Sequence, residues 1–278
     1  MATKSLSKLL VFLMTMIMGG CAFGDREPGA PRAVPRVPPP EAAVAYLKAP
    51  DHPEQLALAR KLTNQGHYEV AMGRLQACEM DTAEVDYLMG VCLREQGRFD
   101  ESIDRFEDCL KKTPGHALAH NGIGVALEQR GDPGGAQAAF REAIRLNPAR
   151  DDFYNNLGYS LMCSGDLAAA EENLRQSLKL DAGNRQAANN LALCLGHMGR
   201  EREAFGVLMQ HYDPAEAYNN MGAIYVLVGQ PDKATEMYRK SLSLAPSLSE
   251  AARNLQVEPG ERPKPQGDNA CTVLTPAE

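Results

Sequence analysis

A glycine returning at a fixed interval limits what the middle of this chain can fold into. Gly90, Gly124 and Gly158 stand 34 residues apart; Ala192 continues the series and Gly222 follows 30 later. Seven residues after each comes a second glycine: Gly97, Gly131, Gly165, Gly199 and Gly229. Five further on is a small residue (Ser102, Ala136, Ala170, Ala204, Ala234), and four beyond that a large apolar one (Phe106, Phe140, Leu174, Leu208, Tyr238). Pro114, Pro148 and Pro246 close three of the units, and Ala59, Gly66, Ala71 and Leu75 form an earlier one. The first small residue lets a partner helix approach closely, and the second glycine permits a tight turn. The alanine and the large residue, four apart, share one face of a second helix, which the proline ends.

This helix–turn–helix pattern resembles the tetratricopeptide repeat. The resemblance implies an all-α, right-handed superhelical solenoid of about six repeats over residues 51–256, with a capping helix from Ser249 to Leu255. One helix pair cannot bury its apolar face alone, whereas stacked pairs build a continuous core.

Within each first helix, positions 2, 5, 6, 9, 12 and 13 of the unit are expected to line the concave face. Position 5 holds Asn121, Asn155, Asn189 and Asn219; position 6 holds Asn156, Asn190, Asn220 and, in the last helix, Asn254. Val125, Tyr159, Met162, Leu193 and Val226 supply apolar surface between them. A carboxamide offers two donors and an acceptor, which matches a peptide group, so these rungs are expected to hold an extended backbone while the apolar positions take its side chains. Two alternatives stand beside this: the asparagines solvate the surface or bridge neighbouring helices, or Tyr159 and Met162 act as knobs for a partner helix. Asn is about 0.6 kcal/mol poorer than Ala in a helix, so eight at two positions ask for a reason.

No catalytic pattern stands out. HExxH, Walker, Gly-x-Ser-x-Gly and Cys-x-x-Cys motifs are missing from the sequence, and Gly131-Asp-Pro-Gly-Gly falls in a repeat turn. His116 and His120 have the spacing of two ligands on a helix, but His116 ends a turn and His120 takes a half-buried aromatic position; no metal or cofactor is expected. The net charge of −7 and the lack of basic runs argue against nucleic acid. Six cysteines, at Cys78, Cys92, Cys109, Cys163, Cys194 and Cys271, are too scattered for a disulfide framework, and most take apolar helical positions. The chain reads as a binder of proteins, with neither a small-molecule substrate nor an enzymatic role.

The N-terminus carries Lys4 and Lys8, an uncharged run from Leu9 to Met18, then Gly19-Gly20-Cys21. This is the form of an export signal, too short in its apolar part to span a bilayer. Residues 14–21 resemble the lipobox of bacterial lipoproteins, with Met18 where Leu is usual. The resemblance implies cleavage after residue 20 and lipid, diacylglycerol and acyl chains, on Cys21; a plain secretory signal is the alternative. Losing Lys4 and Lys8 with the signal would take the net charge to about −9. Ala22 after the cysteine implies retention at the outer membrane, on its periplasmic face. Residues 21–50 read as the lipidated cysteine and a proline-rich tether, and 257–278 as a disordered tail.

The lipobox, tether and repeats together resemble TadD-like lipoproteins of tight-adherence (Flp) pilus systems. Tyr154-Asn-Asn-Leu-Gly-Tyr, Ala188-Asn-Asn-Leu-Ala-Leu and Tyr218-Asn-Asn-Met-Gly-Ala carry that resemblance, as does a shortened unit in which Val207-Leu-Met-Gln-His-Tyr replaces a full second helix. It implies a scaffold that assists assembly of the pilus secretin, with secretin or pilus components as partners. An adaptor lipoprotein that docks peptidoglycan hydrolases or other envelope enzymes is the alternative.

Overall fold

The computed structural model describes residues 52–256; the signal, Cys21, the tether, the tail and Cys271 lie outside the described residues. Those described form thirteen helices and no strand, in two compact units, residues 52–130 and 131–256.

The first unit holds α1 (His52–Asn64), α2 (Tyr68–Ala77), α3 (Ala83–Glu95), α4 (Phe99–Lys112) and α5 (Ala117–Arg130). α1 packs on α2 and α3 on α4, while α1 lies beside α3 and α3 beside α5. Leu56, Ala59, Ala71, Leu75, Val85 and Leu88 form one buried cluster. Phe106 anchors another: a methyl group on Gly90 would sit 2.7 Å from its ring, and one on Gly122 2.5 Å away. Ser102, which replaces the alanine of the series, is fully buried and donates its hydroxyl to the Gly90 carbonyl at 2.7 Å.

The second unit holds α6 (Pro133–Leu146), α7 (Asp151–Cys163), α8 (Leu167–Leu180), α9 (Arg185–His197), α10 (Glu201–His211), α11 (Pro214–Leu227), α12 (Pro231–Leu244) and α13 (Ser249–Gln256). Consecutive helices from α6 to α13 pack together; α7, α9, α11 and α13 also lie side by side, each against the next. Leu157, Leu161, Leu174, Leu191, Leu195, Leu208 and Tyr238 fill the space between the helices. The Gly158 position faces Leu174 at 2.7 Å and the Gly222 position faces Tyr238 at 2.5 Å, so the glycine series works as the sequence requires.

The second glycine of every unit adopts a left-handed φ, between 73° and 89°. At Gly165 the turn is a Schellman motif: Gly165 N–H donates to the Met162 carbonyl and Asp166 N–H to that of Leu161, both at 3.0 Å. Asp166 then turns from stop signal to start signal, its carboxylate accepting from Ala169 N–H at 3.1 Å. Asp132 and Asn184 cap α6 and α9 in the same way. One correction concerns the shortened unit. Its Val207–His211 segment remains helical, and α10 has 11 residues where α4, α6, α8 and α12 have 14.

Candidate functional site

Because α7, α9, α11 and α13 stand side by side, their position-5 and position-6 carboxamides meet. Asn190 donates through Nδ2 to Asn155 Oδ1 at 2.9 Å, Asn220 to Asn189 Oδ1 at 3.1 Å, and Asn254 to Asn219 Oδ1 at 3.1 Å. Each rung runs from position 6 of one unit to position 5 of the unit before. Asn219 donates along its helix to Asn220 at 3.3 Å, which joins the last two rungs, and Asn155 donates likewise to Asn156 at 3.5 Å. The bridging of neighbouring helices is therefore a fact of this face, and it consumes part of each amide's hydrogen-bonding capacity.

Exposure separates the expected residues. Asn190 is 1% exposed, Asn155 and Asn219 2%, and Asn220 7%. Asn156, Asn189 and Asn254 are partly exposed; Asn121, in the first unit, is buried. Met162 and Leu193 require correction, being 0% and 5% exposed, and Val226 joins them at 9%. Met162 lies one turn beyond Gly158, on the side that faces Leu174. Leu193 lies one turn before Gly196, whose Cβ position meets Ile224 of α11 at 2.7 Å. Neither is a groove surface nor a knob, and of that apolar set Tyr159 and Val125 keep partial exposure.

Asn189, Asn219 and Asn220 come together at a cleft of about 310 Å³ in the second unit. Its other walls are Arg185 and Gln186 at the start of α9, Tyr212 after α10, Glu216 on α11 and Glu250 on α13. Arg185 is committed: its guanidinium lies 2.5 Å from Glu216 Oε2 and 4.1 Å from the centre of the Tyr212 ring. Tyr212 donates its hydroxyl to the Arg185 carbonyl at 2.7 Å, and burial pushes its phenol up to about 12, so it stays a neutral donor. Gln186, Glu216 and Glu250 occupy position 2 of their units. The sequence pattern placed that position on the same face without naming these residues. Arg185 and Tyr212 lie outside the pattern, and Tyr212 reaches the cleft because α10 ends early.

Elsewhere the side chains serve the fold. His116 Nδ1 accepts from Ala119 N–H at 3.1 Å and its ring stacks 5.0 Å from that of Tyr87, so it caps α5. Among the described residues, no group of three or more His, Cys, Asp or Glu side chains is placed to hold a metal. Cys78, Cys92, Cys109 and Cys194 are buried free thiols, and burial pushes Cys109 and Cys194 up to about 11, away from reactivity. None of the described helices is long and apolar enough to cross a membrane.

Comparison with known proteins gives these helices a family. Tetratricopeptide repeat families match residues 87–151, 129–172 and 215–248. The chain carries tetratricopeptide repeats. Of solved repeat structures, PilF of Pseudomonas aeruginosa aligns with a TM-score of 0.56 at 17% identity, over 73% of this chain and 96% of its own. A MamA protein aligns with a TM-score of 0.51 at 22% identity, over 61% and 95%. YrrB, described as a tetratricopeptide protein with an unusual peptide-binding site, aligns with a TM-score of 0.49 at 21% identity, over 66% and 96%. The PilF and MamA superpositions, at these identities, show a shared repeat fold and nothing finer. No curated protein sequence matches the chain.

Proposed function

We propose that this chain is a lipid-anchored scaffold on the periplasmic face of the outer membrane. Its first-helix face holds protein segments while a pilus or secretin machine is assembled. The observation that carries the binding role is the cleft at Asn189, Asn219 and Asn220, where partly committed carboxamides border open space. A repeat fold with no catalytic constellation in its sequence supports a scaffold over an enzyme. The anchor rests on the lipobox-like residues 14–21 with Cys21, and the pilus setting on the resemblance of residues 154–223 to TadD-like lipoproteins.

Exposure chooses the position for the test. Asn190 is buried, so a photo-crosslinking residue belongs at Asn189, which is partly exposed on the cleft wall. In living cells it is expected to capture a secretin or pilus component, identified by mass spectrometry. Capture of a peptidoglycan hydrolase would transfer the protein to the adaptor class. Capture of nothing, with the protein in the membrane fraction, would remove the groove from the mechanism. Labelled fatty acid should enter the wild-type chain and not a Cys21→Ser variant; equal labelling of both would refute the anchor.

A further inference from the structure

The charges around the cleft do not cancel. Arg185 is neutralised by Glu216 and held against the Tyr212 ring. Glu250, on the first turn of α13, makes no hydrogen bond or ion pair among the described residues. The neighbouring cation on the same helix, Arg253, turns its Nε to the Ser249 carbonyl at 3.3 Å. Across the cleft, Asn189 accepts from Asn220 through Oδ1, which leaves its own two N–H donors uncommitted among the described residues. The walls thus present amide donors on one side and a lone carboxylate on the other.

We propose that this cleft selects a protein segment bearing a lysine or arginine side chain. Asn189 donates to a main-chain carbonyl of the segment, and Glu250 receives the cationic head. The segment's aliphatic stem runs over the Tyr212 side of the cleft, where a long cationic side chain finds an apolar surface to follow. A carboxylate-bearing segment would meet Glu250 with like charge, and a neutral one would leave Glu250 unpaired beside it. The inference rests on the groove reading above and adds the chemistry of the partner.

The test is a selection from a displayed library of random nonapeptides on the chain without its first 20 residues, repeated on Glu250→Gln and Glu250→Lys. The expected result is enrichment of Lys or Arg at one position with the unaltered chain. Selected peptides should bind Glu250→Gln about two- to fivefold more weakly, and Glu250→Lys should lose the preference or turn it acidic. Circular dichroism and thermal midpoints of the variants equal to those of the unaltered chain show that the helices survive. Enriched peptides with no cationic preference, or a preference unchanged in Glu250→Gln, would overturn this inference and leave the groove standing. No enrichment at all would remove the groove and the inference together.

Discussion

Asn190 shows how a side chain expected to line a groove can serve the fold instead. Its position in the unit was plain, but its partner stands 35 residues earlier, and a pairing at that distance depends on how closely α7 and α9 approach. Asn190→Ala would leave Asn155 Oδ1 without its donor on a face where Asn155 is 2% exposed. The expected loss is about 1–3 kcal/mol, read as a lower urea midpoint. An unchanged midpoint would mean that water replaces the rung without cost. Met162 carries the complementary lesson. Helical period places position 12 near the concave side, but that position also lies a turn beyond Gly158, on a side of the helix that is closely packed, and Met162 is buried there.

Helices are where the sequence spoke most clearly. A left-handed glycine and a small residue under a large one are local requirements, so the turns and pairings could be read directly from 34-residue spacing; the capping Asp and Asn side chains emerged only with the fold. Two glycines inside helices should separate packing from propensity. Gly158→Ala would place a methyl 2.7 Å from Leu174 Cγ and 3.2 Å from the Ala170 carbonyl, which cannot move without its helix. It should destabilise by about 1–3 kcal/mol. Gly206, inside α10, has nothing within 4 Å of the same position, so Gly206→Ala should stabilise by up to about 1 kcal/mol. Thermal melts of both variants check the opposed signs; a shift of the same sign in both would break the argument. The shortening of the second helix was legible from the spacing, whereas its end at His211 is fixed only by the fold.

For the whole molecule, two half-buried imidazoles make a defined contribution to the response to acid. Burial holds His116 and His197 below the ordinary histidine value of 6.5. Between those lowered values and 6.5 the unfolded chain binds more protons than the folded one, so stability falls as pH drops through that window. Above 6.5 both states carry neutral imidazole, and this contribution is flat. Urea midpoints at pH 7.5 and 5.5 should show the fall, and His197→Gln should reduce it; an equal fall in that variant would assign the effect to other groups. The ladder, the turns and the cores set this global stability, while the partner chemistry sits in a few side chains at one cleft.

The three residues that α10 lacks relative to α4, α6, α8 and α12 therefore reach beyond local geometry. Tyr212 turns in where a longer helix would continue, and the Arg185 stack depends on that turn. A small insertion or deletion at this joint could open, close or reshape the recognition site without changing a single asparagine rung. In a lineage of such chains, changes of length would then diversify what is recognised faster than substitutions do, with the solenoid itself held constant.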